Sequence, residues 1–128
     1  MKLQYLGDSY DIVKKSLIGW LSEFGPWVSH PMFTEIVDPE QAAAFSRLLG
    51  TPLLSEKVLI PETNRAEYFS SCRTAGNLFL DPDTGVCLEP HRGKKSVNYV
   101  FGMELAEWCK LRPKALTLIF DQSYSRGK

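Results

Sequence analysis

The stretch NLFLDPDTGV, residues 77–86, places two aspartates directly after a short apolar run. The run 77–80 has the composition of a buried strand, and Thr84-Gly85 is typical of a turn. Asp81 and Asp83 therefore follow the end of a predicted strand, where two like charges repel unless a cation or a proton offsets them. The residues around this aspartate pair decide how the fold and the function are interpreted.

Short apolar runs alternate with helical patterns on both sides of this stretch. The predicted strands are 3–6, 57–60, 77–81 and 115–120, and 27–37 is predicted to be extended with a break at Pro31. The predicted helices are 9–24, 38–49, 64–75 and one that Ser96 caps and Pro113 ends. This alternation predicts one α/β domain over residues 1–128, with a mostly parallel sheet and helices on both faces in three layers.

Periodicity also predicts which side chains form the core. On the first helix, apolar residues recur at helical spacing, so Trp20 and Phe24 are predicted to be buried. Phe79 lies in the opening stretch, Leu105 on the last helix and Ile119 in the last strand. These three residues are predicted to be core as well.

The charge balance excludes some classes of function. The 128 residues carry 15 basic and 15 acidic side chains, whereas general nucleic-acid coats and membrane-surface binders usually carry a basic excess. Any polyanion binding must therefore come from a local patch. No apolar run approaches the roughly 18 residues of a membrane span, and the amino terminus lacks a signal-peptide core. We expect no membrane partner and a cytoplasmic location.

Three widely spaced cysteines, Cys72, Cys87 and Cys109, show no zinc-ligand spacing. They are predicted to be buried, reduced thiols. Because the chain ends shortly after its last predicted strand, one face of the sheet is expected to be bare. A bare face favours a truncated chain or a homo-oligomer.

Several carboxylates follow predicted strands. Asp8 and Ser9 follow the first strand, Asp81 and Asp83 follow 77–80, and Asp121 follows the last one. In a parallel sheet these positions meet at one edge, where ligands usually bind. Carboxylates gathered there need a counter-charge, and magnesium suits one or two carboxylates plus water. Asp8, Asp81 and Asp83 are thus predicted magnesium ligands; the alternative is a helix cap and a turn.

The loop CLEPHRGKKS, residues 87–96, adds cations beside the aspartate pair. Arg92 and Lys94 suit a phosphate group, and His91 has the chemistry of a general acid or base. The predicted catalytic residues are Asp81, Asp83 and His91, and the predicted substrate-binding residues are Ser9, Thr84, Arg92 and Lys94. A solvated charge run is an equally good interpretation of this loop.

Three segments resemble the amino-DNA methyltransferases. LQYLGDSYDIVKKSL (3–17) is similar to their strand, Gly-Asp-Ser and helix, and NLFLDPDTGV is similar to their apolar strand followed by Asp-Pro-Pro-Tyr. ELAEWCKLRPKALTLIFDQSY (104–124) resembles their next helix and strand. The chain also resembles small bacterial proteins of no settled function with GDS and FLDPDTG motifs. The resemblance implies a Rossmann-like fold in which Asp8, Asp81 and Pro82 match the pattern.

The chain departs from the methyltransferase pattern at two points. Asp83 stands in place of the second proline, and Thr84 in place of the aromatic residue that would stack on a flipped base. The glycine-rich cofactor loop is missing, so S-adenosylmethionine is not expected to bind.

Three hypotheses follow from the sequence. The first is a magnesium-dependent hydrolase that acts on phosphodiesters or nucleotides. The second is a degenerate methyltransferase-like domain that binds nucleic acid or a nucleotide without methyl transfer. The third is a non-catalytic interaction module in which the Asp-Pro-Asp turn is purely structural.

Overall fold

The computed structural model describes residue 4 and residues 6–123. The helices are α1 Ser9–Trp20, α2 Pro39–Leu49, α3 Arg65–Tyr68 and α4 Gly102–Leu111. The strands are β1 Trp27–His30, β2 Asn77–Leu80, β3 Gly85–Cys87, β4 Tyr99–Phe101 and β5 Thr117–Ile119. Single 3₁₀ turns occupy Leu21–Phe24, Ser70–Arg73 and Lys94–Asn98.

The strands form two small parallel sheets. One has the order β1-β2-β5, with Phe79 of β2 opposite both Ser29 and Leu118, and the other pairs β3 with β4. The protein is thus mixed α/β with a parallel sheet and helices, as predicted. Parallel strands require crossover connections, and here helices and turns supply them.

The central strand β2 contributes to two apolar clusters because successive side chains of a strand point to opposite faces. Leu78 and Leu80 pack in one cluster with Trp108 of α4. Phe79 packs in the other cluster with Ile18 of α1 and Phe45 of α2. All four residues of β2 are buried. A strand that is buried on both faces has a nearly continuous apolar sequence, and for this reason the apolar run predicts β2 correctly.

Two predicted strands are not observed as such. The strand at 3–6 falls mainly on residues outside the described part of the chain, and Leu6 lies in a turn. The strand at 57–60 is wrong, because this segment has no regular structure. Leu59 is nevertheless buried, and its N–H donates to the carbonyl of Phe33 at 2.8 Å. This backbone hydrogen bond holds residues 57–60 against the segment of Phe33, but it does not form the ladder of a β-sheet.

The prediction of a helix from Ser96 is wrong over its first turn and a half. Val100 and Phe101 belong to β4, where they pair with β3 and are buried. The helix α4 begins only at Gly102, where the Glu104 carboxylate accepts the N–H of Phe101 at 2.9 Å. Apolar residues at helical spacing fit a buried strand followed by a helix equally well.

The predicted core is only partly correct. Phe79 is buried, whereas Leu105 and Ile119 are half-buried. Trp20 and Phe24 are wrong, with 74% and 58% of their surface exposed. The reason is that α1 turns a different stripe inward, as described below.

The three cysteines are free thiols, but they are not all buried as predicted. Cys72 is buried, Cys87 is half-buried and Cys109 is exposed on α4.

Candidate functional site at the carboxyl edge of the sheet

The ends of three strands meet at one edge, as the sequence predicts. The Asp81 N–H donates to the carbonyl of His30 at the end of β1, at 3.1 Å. Beyond β5, the Phe120 N–H donates to Leu80, and the Gln122 N–H donates to Thr84 at 2.8 Å. The DPDT segment is therefore held by backbone hydrogen bonds to both neighbouring strands.

The counter-charge beside Asp81 is a lysine of the protein itself. The Lys14 ammonium lies 2.9 Å from Asp81 Oδ2 and 3.0 Å from Asp11 Oδ1. The three residues are buried, with 1% (Asp11), 5% (Lys14) and 2% (Asp81) of their surface exposed. We call this group the Asp11–Lys14–Asp81 cluster. It shows why the fold tolerates a carboxylate at the end of a buried strand.

The start of α1 positions the cluster. Asp8 is the N-cap of the helix, as predicted for a residue at this position, and it accepts the Asp11 N–H at 3.1 Å. Gly7, with φ of +84°, donates its N–H to Asp11 Oδ2 at 2.7 Å. Asp11 and Lys14 are three residues apart, so both project from one face of the helix toward Asp81.

Charge and burial act together on the pKa values in this cluster. Burial alone would lower the pKa of Lys14, but Asp81 and Asp11 outweigh it and raise this pKa above its usual value. Burial raises the pKa of the Asp81 carboxyl, and Lys14 opposes part of that shift. With two carboxylates and one ammonium, the charged cluster has a net charge of −1. The raised pKa of Lys14 keeps its ammonium protonated, and the raised pKa of Asp81 favours the protonated form of its carboxyl.

The pKa shifts of Lys14 and Asp81 affect the folding stability in different pH ranges. The stability that Lys14 contributes is fully present below the usual lysine pKa of 10.5 and is lost as the pH rises through the higher folded value. The raised pKa of Asp81 favours the folded state below the usual carboxyl value of 3.8, and that advantage is lost as the pH rises through the folded pKa. Lys14 is therefore charged at neutral pH, where it pairs with both aspartates.

Aromatic rings cover the cluster on one side. The Lys14 ammonium lies 4.8 Å from the centroid of the Phe120 ring, a favourable cation–π position. Tyr10 packs edge-on against Phe120 at 5.6 Å between centroids. The Asp81 carboxylate is therefore shielded from solvent and committed to Lys14.

The other predicted residues of the DPDT segment have separate environments. Asp83 is half-buried, and Thr84 is buried, with its N–H donating to Asn98 at 2.9 Å. Ser9 is the exposed first residue of α1. Among the residues that the structure describes, no group of three or more His, Cys, Asp or Glu side chains is arranged to hold a metal ion. The magnesium site of Asp8, Asp81 and Asp83 therefore stays a prediction from the sequence.

The glycine of the motif is required by a close approach. Gly85 has φ of +148°, and a Cβ at this position would lie 1.8 Å from Asp121 Oδ1. Asp121 itself accepts the N–H of Ser123 at 2.8 Å, so its carboxylate holds the turn beyond β5. Asp121 and Gly85 thus lie together at the edge, as predicted for residues that follow strands.

The basic loop is attached to the body of the protein by Arg65 of α3. Its guanidinium binds Glu104 through two hydrogen bonds of 2.6 and 2.9 Å. It also donates to the carbonyls of Ser96 and Tyr99. The Ser96 hydroxyl donates in turn to Gly93 at 2.7 Å. These hydrogen bonds therefore fix the end of the loop between β3 and β4, where the chain enters β4.

This loop presents cations and a histidine. Arg92, Lys94 and Lys95 are exposed, and within the described part of the chain none lies within 4 Å of a carboxylate oxygen. His91 is half-buried, with its ring edge-on to Tyr99 at 5.5 Å and Phe101 at 5.6 Å between centroids. The loop therefore displays three uncompensated charges beside an aromatic group.

The sequence gives no prediction for Asp11 and Arg65, and it favours a Lys14 that faces solvent, as lysines near a helix start usually do. The signal for the contact of Asp11 with Lys14 is an i, i+3 pair of opposite charges on a helix that begins one residue after a predicted strand-end aspartate. Arg65 gave no local signal, because its partners are at least 31 residues away in sequence.

The side chain of His30, at the end of β1, is buried without a hydrogen-bond partner among the described residues. Neither ring nitrogen has one, and the imidazole packs against Tyr68 and Phe69 at 5.1 and 5.4 Å between centroids. Burial lowers the pKa of His30 to about 4. His30 is thus a core residue whose ring makes no hydrogen bond among the described residues.

This burial makes the stability sensitive to acid. Because the folded pKa lies below the usual 6.5, stability is lost as the pH falls from about 6.5 toward 4. Between about pH 7 and 4.5 we expect His30 to reduce the free energy of unfolding by about 2–3 kcal/mol. In urea titrations at both pH values, His30→Phe should show a smaller difference than the wild type, whereas His91→Phe, which retains His30, should not. Equal differences for the wild type and His30→Phe would contradict this account.

No family model, curated protein or solved structure matches the chain. Of the helices in the described ranges, none has the length and apolar character needed to cross a membrane.

Proposed function

We propose that the protein is a non-catalytic nucleic-acid-binding domain that contacts single-stranded phosphate backbones through the loop between β3 and β4. The observation that carries the proposal is the set of exposed cations Arg92, Lys94 and Lys95. Within the described ranges they have no carboxylate partner, and they stand on a loop that Arg65 and Ser96 hold in place.

A held loop suits this task because its charges are positioned before a ligand arrives. Arg65 fixes the end of the loop that leads into β4, so the loop loses less conformational freedom on binding. Phosphate contacts require cations that are not already engaged in ion pairs, and these three meet that condition. His91 adds a ring next to Tyr99 and Phe101, a suitable surface for an unpaired base.

The Asp11–Lys14–Asp81 cluster supports a binding role rather than a catalytic one. Asp81 is 2% exposed and its Oδ2 is paired with Lys14, so little of this carboxylate is open to a substrate or a metal. Metal-assisted hydrolysis would require Asp81 to exchange Lys14 for another cation, which would break a buried ion pair. Hydrolysis stays a prediction from the sequence, without a structural observation in its favour.

The same proposal includes the finer fold. We infer that the clusters on either side of β2 correspond to the two helical layers of a Rossmann-like domain. The support is that Phe79 packs with α1 and α2, whereas Leu78 and Leu80 pack with α4.

The proposal can be tested by fluorescence anisotropy with a labelled single-stranded oligonucleotide at several salt concentrations. Replacing Arg92, Lys94 and Lys95 together by alanine should weaken binding at least tenfold at low salt. It should also flatten the slope of log K against log salt by about 2, since three phosphate contacts contribute about 0.7 each.

A matched triple variant separates local contacts from net charge. Lys15, Lys57 and Lys110 are exposed cations elsewhere on the surface, and replacing them by alanine changes the net charge by the same amount. This control should lower affinity less than twofold. Equal losses for the two triple variants, or no binding by the wild type, would refute the proposal.

A further inference from the structure

A pocket lies at the opposite edge of the sheet, below the amino end of β2. Its volume is about 530 Å³, and three segments line it: Phe24 to Pro26, Arg73 to Asn77 and Arg112 to Ala115. Asn77 begins β2 and Asp81 follows its end, so the two edges are separated by the length of the strand, roughly 13 Å. This volume is in the range of small-molecule sites. No residue predicted from the sequence as functional lines the pocket.

The charged side chains of the pocket lining are all cations: Arg73, Arg112 and Lys114. Arg73 is half-exposed and pairs with Glu107 at 2.8 Å. Lys114 is exposed and, over the ranges described, has no ion pair. The pocket therefore carries positive charge that the surrounding side chains do not fully neutralise.

Arg112 contributes the buried part of this charge. Only 7% of its surface is exposed, and its guanidinium donates to the carbonyls of Ala75 and Gly76 and to Thr117 Oγ1. These acceptors are neutral, its Nε has no partner within the described chain, and no described carboxylate lies within 4 Å of the guanidinium. A buried cation without an anionic partner is unfavourable, and an anion in the pocket would relieve that cost.

One part of the wall is apolar. Phe24, which is 58% exposed, lines the pocket together with Pro26 and Pro113. The Asn77 amide fixes this wall, since it donates to the carbonyl of Phe24 at 3.0 Å and accepts the N–H of Leu116 at 2.9 Å. An exposed aromatic ring on a fixed backbone is a suitable stacking surface for a base.

We propose that this pocket binds a nucleotide through its phosphate and its base. The phosphate lies against Arg112 and Lys114, and the base lies against Phe24. The site goes beyond the proposed function, because it is at the other edge of the sheet and shares no residue with the loop between β3 and β4. Two sources offer this chemistry: a free mononucleotide and the phosphorylated 5′ end of a strand.

The test is isothermal titration of the full chain with adenosine monophosphate, inorganic phosphate and adenosine. Lys114→Gln should weaken the binding of adenosine monophosphate and of inorganic phosphate about tenfold, because it removes one charge-assisted contact. Phe24→Ala should weaken the binding of adenosine monophosphate by a similar factor. It should leave the binding of inorganic phosphate unchanged, since only the nucleotide has a ring to stack. This split would not arise from a general loss of structure.

Two surface variants serve as controls. Lys110→Gln removes an exposed cation outside the pocket, and Trp20→Ala removes an exposed ring outside it; each should leave binding within twofold of the wild type. The proposal is overturned if adenosine monophosphate does not bind at millimolar concentration, or if Lys114→Gln and Lys110→Gln behave alike. A 5′-phosphorylated dinucleotide that binds more tightly than adenosine monophosphate assigns the site to strand ends, and equal or weaker binding assigns it to free nucleotides.

Discussion

Replacing Lys14 by methionine should lower the free energy of unfolding by about 3–5 kcal/mol, because it leaves Asp11 and Asp81 buried without their cation. Methionine keeps most of the apolar length of the lysine side chain, so the loss reports charge rather than a cavity. The measurement is equilibrium unfolding in urea at neutral pH. A decrease of less than about 1 kcal/mol would mean that the ion pair does not hold the strand end.

Two further variants isolate the cause. Lys15 is adjacent in sequence but exposed, so Lys15→Met should change stability by no more than about 0.5 kcal/mol. Combining Lys14→Met with Asp11→Asn and Asp81→Asn removes every charge of the cluster and should recover part of the loss. If the triple variant were less stable than Lys14→Met alone, hydrogen bonding of the two carboxylates would outweigh their repulsion.

The sequence predicted where the charges would gather but not what would neutralise them. The parallel arrangement of β1, β2 and β5 brings the residues after β2 and β5 to one edge, and that followed from the strand pattern alone. The counter-ion depended on the rotation of α1 about its own axis. An apolar periodicity predicted that Trp20 and Phe24 would face inward, whereas Asp11, Lys14 and Ile18 do so.

The rotation of α1 has a physical reason. Asp81 is fixed by the backbone of β2 and is enclosed by Phe120 and α1, so the helix must present a cation there. Solvating a buried carboxylate in any other way costs several kcal/mol. Exposing Trp20 costs a comparable amount, since apolar surface at roughly 25 cal/mol per Å² amounts to a few kcal/mol for a large ring. The contact of Lys14 with Asp81 therefore offsets the exposure of the ring.

The short strands β3 and β4 could not be predicted for a different reason. Each has three residues, and their pairing joins segments about 14 positions apart through the basic loop. Val100 and Phe101 satisfy both a strand and a helical pattern, and only their contact with β3 and the Arg65 hydrogen bond to Tyr99 distinguish the two. Long-range contacts of this kind leave no periodic trace in the sequence.

Phe79→Ala should be the second strongly destabilising substitution, with a decrease of about 3–5 kcal/mol in the free energy of unfolding. Phe79 is 1% exposed at the centre of β2, and it packs in the cluster that contains Ile18 and Phe45. Alanine would leave a cavity among side chains that come from β1, from two helices and from the segment of Phe33, so the surroundings have little freedom to collapse. Urea unfolding of the variant measures the loss directly.

Trp20→Ala is the matched control, because the sequence predicted both Trp20 and Phe79 as core. Trp20 is 74% exposed, so its removal should change stability by no more than about 0.5 kcal/mol. Ile119 lies between these extremes: it is half-buried against the cluster of Leu78 and Leu80, and Ile119→Ala should cost less than Phe79→Ala. A loss at Trp20 as large as that at Phe79 would show that the outer face of α1 is covered in solution, and the order Phe79, Ile119, Trp20 would support the burial described here.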